Sequence, residues 1–131
     1  MGFGMIEARF IIESQGKPAS YVNNSLKKHV EAMKGLNGLE VFDVNFEEAE
    51  EVEKGIFSAL VDVGVKTSDF ETFFAAILGF APTAVILQKP NKITVEMREL
   101  QNISNDIITM FHRFAQANEI LRRQAGAKKL K

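Results

Sequence analysis

The densest group of reactive side chains in the sequence is acidic, with five glutamates among the seven residues 47–53. Carboxylates at this density could bind a divalent cation or a basic partner. A calcium loop, however, sets oxygen ligands at alternate positions around a turn glycine, and this run has no Asp, Asn or Gly among its glutamates. Asn45 and Glu48 have the spacing of a capping box, so the stretch is either a short exposed helix or an extended hairpin arm. In both cases we predict a solvated connector.

Two aspartates and two histidines are the other candidates for acid or base chemistry. Asp43 and Asp62 lie in segments with the pattern of neighbouring strands, so their carboxylates could converge. His29 and His112 fall on different predicted helices and lack the spacing of a metal-binding pair. The sequence therefore predicts no catalytic residue, no metal site and no cofactor. The alternative is an enzyme whose active site is assembled from these residues at a subunit interface.

The loop "ESQGKPAS" joins the first predicted strand to the first predicted helix. Amide groups of Ser20 and Tyr21 at the helix start, with Lys17 beside them, could hold a carboxylate or phosphate. The spacing resembles that of the ligand loop of ACT domains, which sense amino acids. That resemblance implies a small anionic ligand bound by Lys17, Ser20 and Tyr21; the alternative is a plain turn.

Composition narrows the class of protein. A chain of 131 residues is about one domain long, and a net charge of -1 gives no general attraction for nucleic acid or anionic membranes. The absence of cysteine excludes disulfides and thiolate metal sites. The first residues contain neither a basic segment nor a long apolar run, and no stretch is apolar enough to span a membrane. We expect a cytoplasmic protein without a membrane segment.

Hydrophobic periodicity predicts the order of elements. Residues 5–13 alternate as a half-buried strand does, and the following helix carries an apolar face of Val22, Leu26, Val30 and Met33. Two Val- and Phe-rich strands follow at 39–46 and 55–66, then a helix over 67–79 that begins with a Ser68–Glu71 capping box and ends at Gly79. A strand at 82–88, a turn, a short strand at 93–95 and a long helix complete the chain.

This order predicts an α+β fold of ferredoxin-like type, a βαββαβ antiparallel sheet with an added short strand and a long C-terminal helix. Both helices would cover one sheet face, toward which Phe57, Ala59, Val61, Val63 and Val65 point. We expect the opposite face to be apolar whichever alternation the second strand adopts, and to be covered by the long helix or by another subunit.

The last helix, predicted over about 97–124, has a heptad pattern across three repeats. Its apolar residues are spaced alternately by three and four, namely Leu100, Ile103, Ile107, Met110, Phe114, Ala117 and Leu121. Such a stripe suits a coiled coil, and it also suits a helix lying across a sheet. We predict a single domain over 1–124 and a flexible basic tail over 125–131, and we consider nucleic-acid binding by that tail a further alternative.

The function predicted from these observations is that of a non-catalytic, homo-oligomeric domain. A small anion bound near Lys17 would make it a sensing or regulatory module. An enzyme with an interfacial site and a nucleic-acid adaptor are the competing hypotheses.

Overall fold

In a computed structural model, which describes residues 5–129 and side chains through residue 126, the chain divides into two units, Met1–Val95 and Glu96–Lys131. The first is an α+β unit and the second contains one helix. The first unit contains β1 (Ile6–Gly16), α1 (Ala19–Lys34), β2 (Glu40–Glu53), β3 (Ile56–Thr67), α2 (Phe70–Phe80) and β4 (Ala84–Lys89). The second unit contains α3 (Met97–Lys129). Among the described residues, no helix is both long and apolar enough to cross a membrane.

The sheet has four strands in the order β2-β3-β1-β4, and each adjacent pair is antiparallel. Helix α1 connects β1 to β2 with β3 between them, and α2 connects β3 to β4 with β1 between them. The two central strands β1 and β3 pair along their whole length, from Ile6 opposite Thr67 to Gly16 opposite Phe57. Strands β2 and β4 form the two edges.

A single core lies between the sheet and the two helices. Every second residue of β1 is buried, as the alternation of apolar and polar residues in the sequence predicts. These residues are Ile6, Ala8, Phe10 and Ile12. The predicted face of α1 is buried as well, and α2 contributes Phe73 and Ala76. Phe10, at the centre, is fully buried with its ring centroid 5.8 Å from that of Phe73. The helix-facing positions predicted for β3 are confirmed, because Ala59, Val61, Val63 and Val65 are buried and Phe57 packs against them.

The prediction that the second sheet face is apolar is wrong in its central part, because β2 contains a β-bulge. Val41 pairs with Val65, but the next partner, Gly64, pairs with Asp43 rather than Phe42. The extra residue reverses the alternation, so Val44 faces the helices and Asp43 and Asn45 face the other side. Neither of the two alternations considered from sequence is therefore followed throughout. We call this second side of the sheet the open face.

The glutamate-rich stretch is an extended strand, not a helix. Residues 47–53 belong to β2, pair irregularly with β3, and carry exposed glutamate side chains. Because β2 forms an edge of the sheet, its outer side presents unpaired backbone groups. A row of charges is a common way to keep such an edge from pairing with another chain. The hairpin-arm alternative describes this segment best.

Both predicted boundaries of α2 differ from the structure. The N-cap of α2 is Asp69, not Ser68; the carboxylate of Asp69 accepts hydrogen bonds from the Glu71 amide at 3.2 Å and from the Thr72 hydroxyl at 2.6 Å. The helix also continues past Gly79, since Phe80 packs against the core, and it ends at Ala81 in a left-handed conformation.

The predicted short strand at 93–95 does not form, because its three residues have no neighbouring strand with which to pair in the described part of the chain. Helix α3 ends at Lys129, five residues beyond its predicted end at residue 124. The alanines at 125 and 127 favour the helix and outweigh the cost of one glycine between them. Residues 130–131, the last of the predicted basic tail, lie outside the described part of the chain.

Candidate functional site

An ionic cluster occupies the centre of the open face and joins three strands. Arg9 of β1 and Asp43 of β2 are both paired with Gly64 of β3, on opposite sides of it. Since Gly64 has no side chain, the guanidinium of Arg9 can pass over β3 and reach Asp43. A Cβ atom at position 64 would lie 3.1 Å from Arg9 Nη1 and 2.7 Å from Phe42 Cζ. A side chain at this position would require the Phe42 ring and the Arg9 guanidinium to shift from the positions observed.

The Arg9 guanidinium donates hydrogen bonds to two carboxylates. Arg9 Nε donates to Asp62 Oδ1 at 2.6 Å, and Arg9 Nη2 donates to Asp43 Oδ2 at 2.8 Å. Asn45 Nδ2 adds a third bond, to the same Asp43 oxygen at 2.9 Å. The Arg9 side chain is only 17% exposed, whereas both aspartates remain in contact with solvent.

The charge balance of the cluster determines its chemistry. The hydrogen bonds that Asp43 accepts, from Arg9 first and from Asn45 second, lower its pKa below its usual range. The bonds that Arg9 donates to Asp43 and Asp62 raise the pKa of Arg9. A general acid or base at neutral pH needs a pKa shifted toward 7, and that of Asp43 is shifted the other way. The predicted convergence of Asp43 and Asp62 occurs, but the arrangement is that of a structural ion cluster.

His29 does not join these aspartates. His29 lies on α1, which packs on the helix-covered face, and its Nδ1 is 3.0 Å from the carbonyl oxygen of Ser25. His112 is exposed on α3 in the second unit. Within the described part of the chain, no group of three or more His, Asp and Glu side chains could hold a metal ion.

The predicted anion loop lies where β1 ends and α1 begins. Lys17, Ser20 and Tyr21 are all exposed there. The Tyr21 amide already donates to the Pro18 carbonyl at 3.1 Å, so it is engaged within the first helical turn. Ser20 and Lys17 remain candidates for an anion, and binding at this loop stays a prediction.

A cavity that the sequence analysis did not identify lies between α2, β4 and the segment after β4. It has a volume of about 270 Å³ and opens to solvent. Its walls include the rings of Phe70, Phe73 and Phe74 together with Leu87, and Lys89 and Lys92 contribute cationic side chains to its lining. In the sequence these lysines appear only as the ends of the turn "KPNK", and pairing between distant segments creates the cavity. The arrangement suits a small molecule with an apolar body and a negative group.

The residues of the predicted heptad stripe on α3 differ in exposure. In the first half, Leu100 is 47% exposed, Ile103 is buried to 5% exposure and Ile107 is half-buried. In the second half, Phe114 and Leu121 are 67% and 61% exposed, and Met110 is exposed as well. Phe111, at 68%, extends the stripe, and with Met110 and Phe114 it lines an entirely apolar hollow of about 230 Å³.

The basic residues near the end of α3 are partly engaged with the helix itself. Arg123 Nε lies 3.2 Å from one carboxylate oxygen of Glu119, and Arg122 Nη1 lies 3.8 Å from the other. These pairs follow the helical spacing of three and four residues and are solvent-exposed.

Comparison with protein families gives one match, which covers residues 7–131. The chain belongs to the MJ0538 family. No curated protein matches the chain, and no solved structure does so either. The family description names no activity, ligand or partner.

The MJ0538-family match spans every candidate described above, from Arg9 and the Lys17 loop through the cavity to α3. The family therefore comprises both units of the chain, and α3 is part of it. A functional hypothesis for this MJ0538-family chain has to account for the helix as well as the sheet.

Proposed function

We propose that the chain is a non-catalytic, self-associating domain and that α3 provides its association surface. The observation that carries the proposal is the exposed apolar set Met110, Phe111, Phe114 and Leu121 on one side of the second half of α3. Large apolar side chains grouped in this way are rarely left in water. The heptad spacing of Met110, Phe114 and Leu121 further suits a helical partner with the same spacing.

The connections between strands support a ferredoxin-like assignment for the first unit. In that arrangement each helix links two strands separated by one other strand, and both helices cover the same face. Helices α1 and α2 have such connections, and both contribute to the one core. This fold commonly presents binding surfaces rather than one fixed chemistry, so it leaves the function to specific sites.

The non-catalytic part of the proposal rests on the ion cluster. Arg9 binds both Asp43 and Asp62, which are the carboxylates that could have served as an acid-base pair. His29, another residue named for the interfacial-enzyme hypothesis, lies on α1 at the helix-covered face of the sheet. A structural role for the cluster therefore explains its geometry with fewer assumptions.

Replacing Phe114 by Asp tests self-association. We expect the wild-type protein to form an oligomer and Phe114→Asp to be monomeric in sedimentation equilibrium, because a carboxylate would have to be buried in the interface. Gln116→Asp is the matched control, since it adds the same charge two residues away on an exposed side of α3 outside the stripe. It should leave the mass unchanged, and circular dichroism should show equal helix content in both variants. Equal oligomer masses for Phe114→Asp and wild type would contradict the proposal.

A regulatory ligand is the second candidate function, and the cavity beside α2 favours it. A small carboxylate with an apolar body, such as octanoate or benzoate, would place its hydrocarbon part among the phenylalanines and its charge near Lys89 or Lys92.

Isothermal titration calorimetry with octanoate and benzoate tests this candidate. We expect binding that is weakened about tenfold in Lys89→Met/Lys92→Met, the equivalent of one lost charge-assisted contact. Lys17→Met is the matched control, because Lys17 marks the other proposed anion site. Binding lost only in Lys17→Met would move the ligand to the β1–α1 loop, and no binding of either probe to wild type would refute the cavity proposal.

A further inference from the structure

We propose that Asn37 is a site of spontaneous modification, at which its carboxamide cyclises onto the Gly38 amide and is converted to aspartate and isoaspartate. The two residues lie in the connection between α1 and β2. This connection is separate from the association surface of α3 and from the cavity lined by the phenylalanines of α2. The inference therefore does not depend on the proposed function.

The residue that follows an asparagine governs how readily this cyclisation occurs. The main-chain nitrogen of that residue has to reach the side-chain carbonyl carbon of the asparagine, and a side chain on the same residue obstructs the approach. Glycine has no Cβ atom and allows the backbone rotations that ring closure requires. Among the asparagines of the chain, Asn37 alone is followed by glycine.

Both reacting groups are free in the structure. Asn37 and Gly38 are exposed, and they are the central residues of a turn in which the Leu39 amide donates to the Leu36 carbonyl at 3.2 Å. Gly38 has a φ of 91°, a positive value of the kind that a type II turn places on its third residue. Among the described residues, neither the Asn37 carboxamide nor the Gly38 amide makes a hydrogen bond. Ring closure therefore does not compete with a hydrogen bond to either group.

The reaction needs no reagent other than water. The Gly38 nitrogen gives up its proton and bonds to Cγ of Asn37, while the bond from Cγ to the side-chain nitrogen breaks and ammonia leaves. Water then opens the cyclic imide at either carbonyl group. Opening at the side-chain carbonyl gives aspartate. Opening at the main-chain carbonyl gives isoaspartate, in which the main chain runs through the former side-chain methylene group.

The isoaspartate product lengthens the main chain directly beside the core. Leu39 is 6% exposed and belongs to the core between the sheet and the helices. A Cβ atom on Gly38 would lie 3.3 Å from Thr72 Oγ1 of α2, so Gly38 has little room to move toward that helix. An added main-chain atom before Gly38 would therefore displace Leu39 or move the turn away from α2. Either change loses packing and lowers stability.

Peptide mapping by mass spectrometry tests the site. The purified protein is incubated in mildly alkaline buffer and digested, and each asparagine peptide is followed for the change in mass when water replaces ammonia. Methyl transfer by an isoaspartyl methyltransferase measures the isoaspartate formed. We expect conversion at Asn37 to be faster than at Asn24 and Asn91 by about tenfold or more, the equivalent of about 1.4 kcal/mol in activation free energy.

Asn24 and Asn91 are internal controls for the two features of the site. Both are exposed, but Asn24 lies within α1, whereas Asn91 lies in the segment after β4 and is followed by Lys92. Conversion at Asn37 no faster than at Asn91 would overturn the assignment of the site, because the glycine would then have no effect.

Asn37→Gln is the matched variant, since glutamine keeps the carboxamide but has to close a larger ring. We expect no conversion at position 37 in this variant over the same interval. The urea midpoint of the wild-type protein should fall as isoaspartate accumulates, while that of Asn37→Gln stays constant. An unchanged wild-type midpoint after conversion, or an equal fall in both proteins, would overturn the inferred effect on the core.

Discussion

Replacing Phe10 by Ala is expected to lower the free energy of unfolding by about 3–5 kcal/mol, the largest effect of any substitution considered. Phe10 is fully buried on the central strand β1, and its ring packs at 5.8 Å from that of Phe73. Its removal would leave a cavity between the sheet and α2 that neighbouring side chains can fill only in part. For a domain of this size, the loss is a large fraction of the total stability.

Urea denaturation followed by circular dichroism would measure this change. Tyr21→Ala is the matched control, because Tyr21 is an aromatic residue of the same unit that is 62% exposed. It should alter the free energy of unfolding by less than about 0.5 kcal/mol. A loss below about 1 kcal/mol for Phe10→Ala would mean that the core packs differently from the arrangement described.

The second large effect is expected for Arg9→Met, which removes the cation of the ion cluster and keeps an apolar side chain of similar length. Asp43 and Asp62 would then face each other without their common partner. We expect a loss of about 1–2 kcal/mol at pH 7, a moderate value because both aspartates are accessible to water.

The pH dependence separates electrostatic from packing effects. The pKa of Asp43 is lowered in the folded protein, so its interaction with Arg9 stabilises the fold above the unfolded-state pKa of about 4 and is lost as pH falls through the folded-state value. The difference between wild type and Arg9→Met should therefore be complete at pH 6–7 and shrink below about pH 4.

Lys34→Met provides the comparison for Arg9→Met, since it removes an exposed ion pair with Glu31 on α1. Its effect should be close to zero at every pH. If the loss caused by Arg9→Met stays constant from pH 7 to pH 3, Arg9 acts mainly through the packing of its methylene groups, and the electrostatic account of the cluster is wrong.

Local patterns in the sequence predict much of the core. The alternation Ile6, Ala8, Phe10 and Ile12 predicts which side of β1 is buried, and the spacing from Val22 to Met33 does the same for α1. Both patterns depend on the geometry of one element, so they can be recognised without knowing its neighbours. The same holds for the stripe on α3, although its spacing does not reveal that Ile103 is buried while Phe114 is exposed.

Features that depend on two or more strands could not be predicted. The bulge beside Phe42 changes which side of β2 carries Asp43, and nothing in the local sequence marks that extra residue. The role of Gly64 appears only when Arg9 and Asp43 are known to flank it in register. The cavity lined by Phe74 and Lys92 likewise depends on the relative placement of α2, β4 and the segment that follows β4.

The position of β1 in the sheet has a consequence for the order in which the fold can be completed during synthesis. Strand β1 precedes the other strands in the chain, but its hydrogen-bonded neighbours are β3 and β4, and the bond from Arg9 to Asp62 spans 53 residues. Both edges of β1 therefore stay unpaired until the ribosome has released β3. During that interval α1, which follows directly, is the nearest element able to shelter the apolar side of the strand.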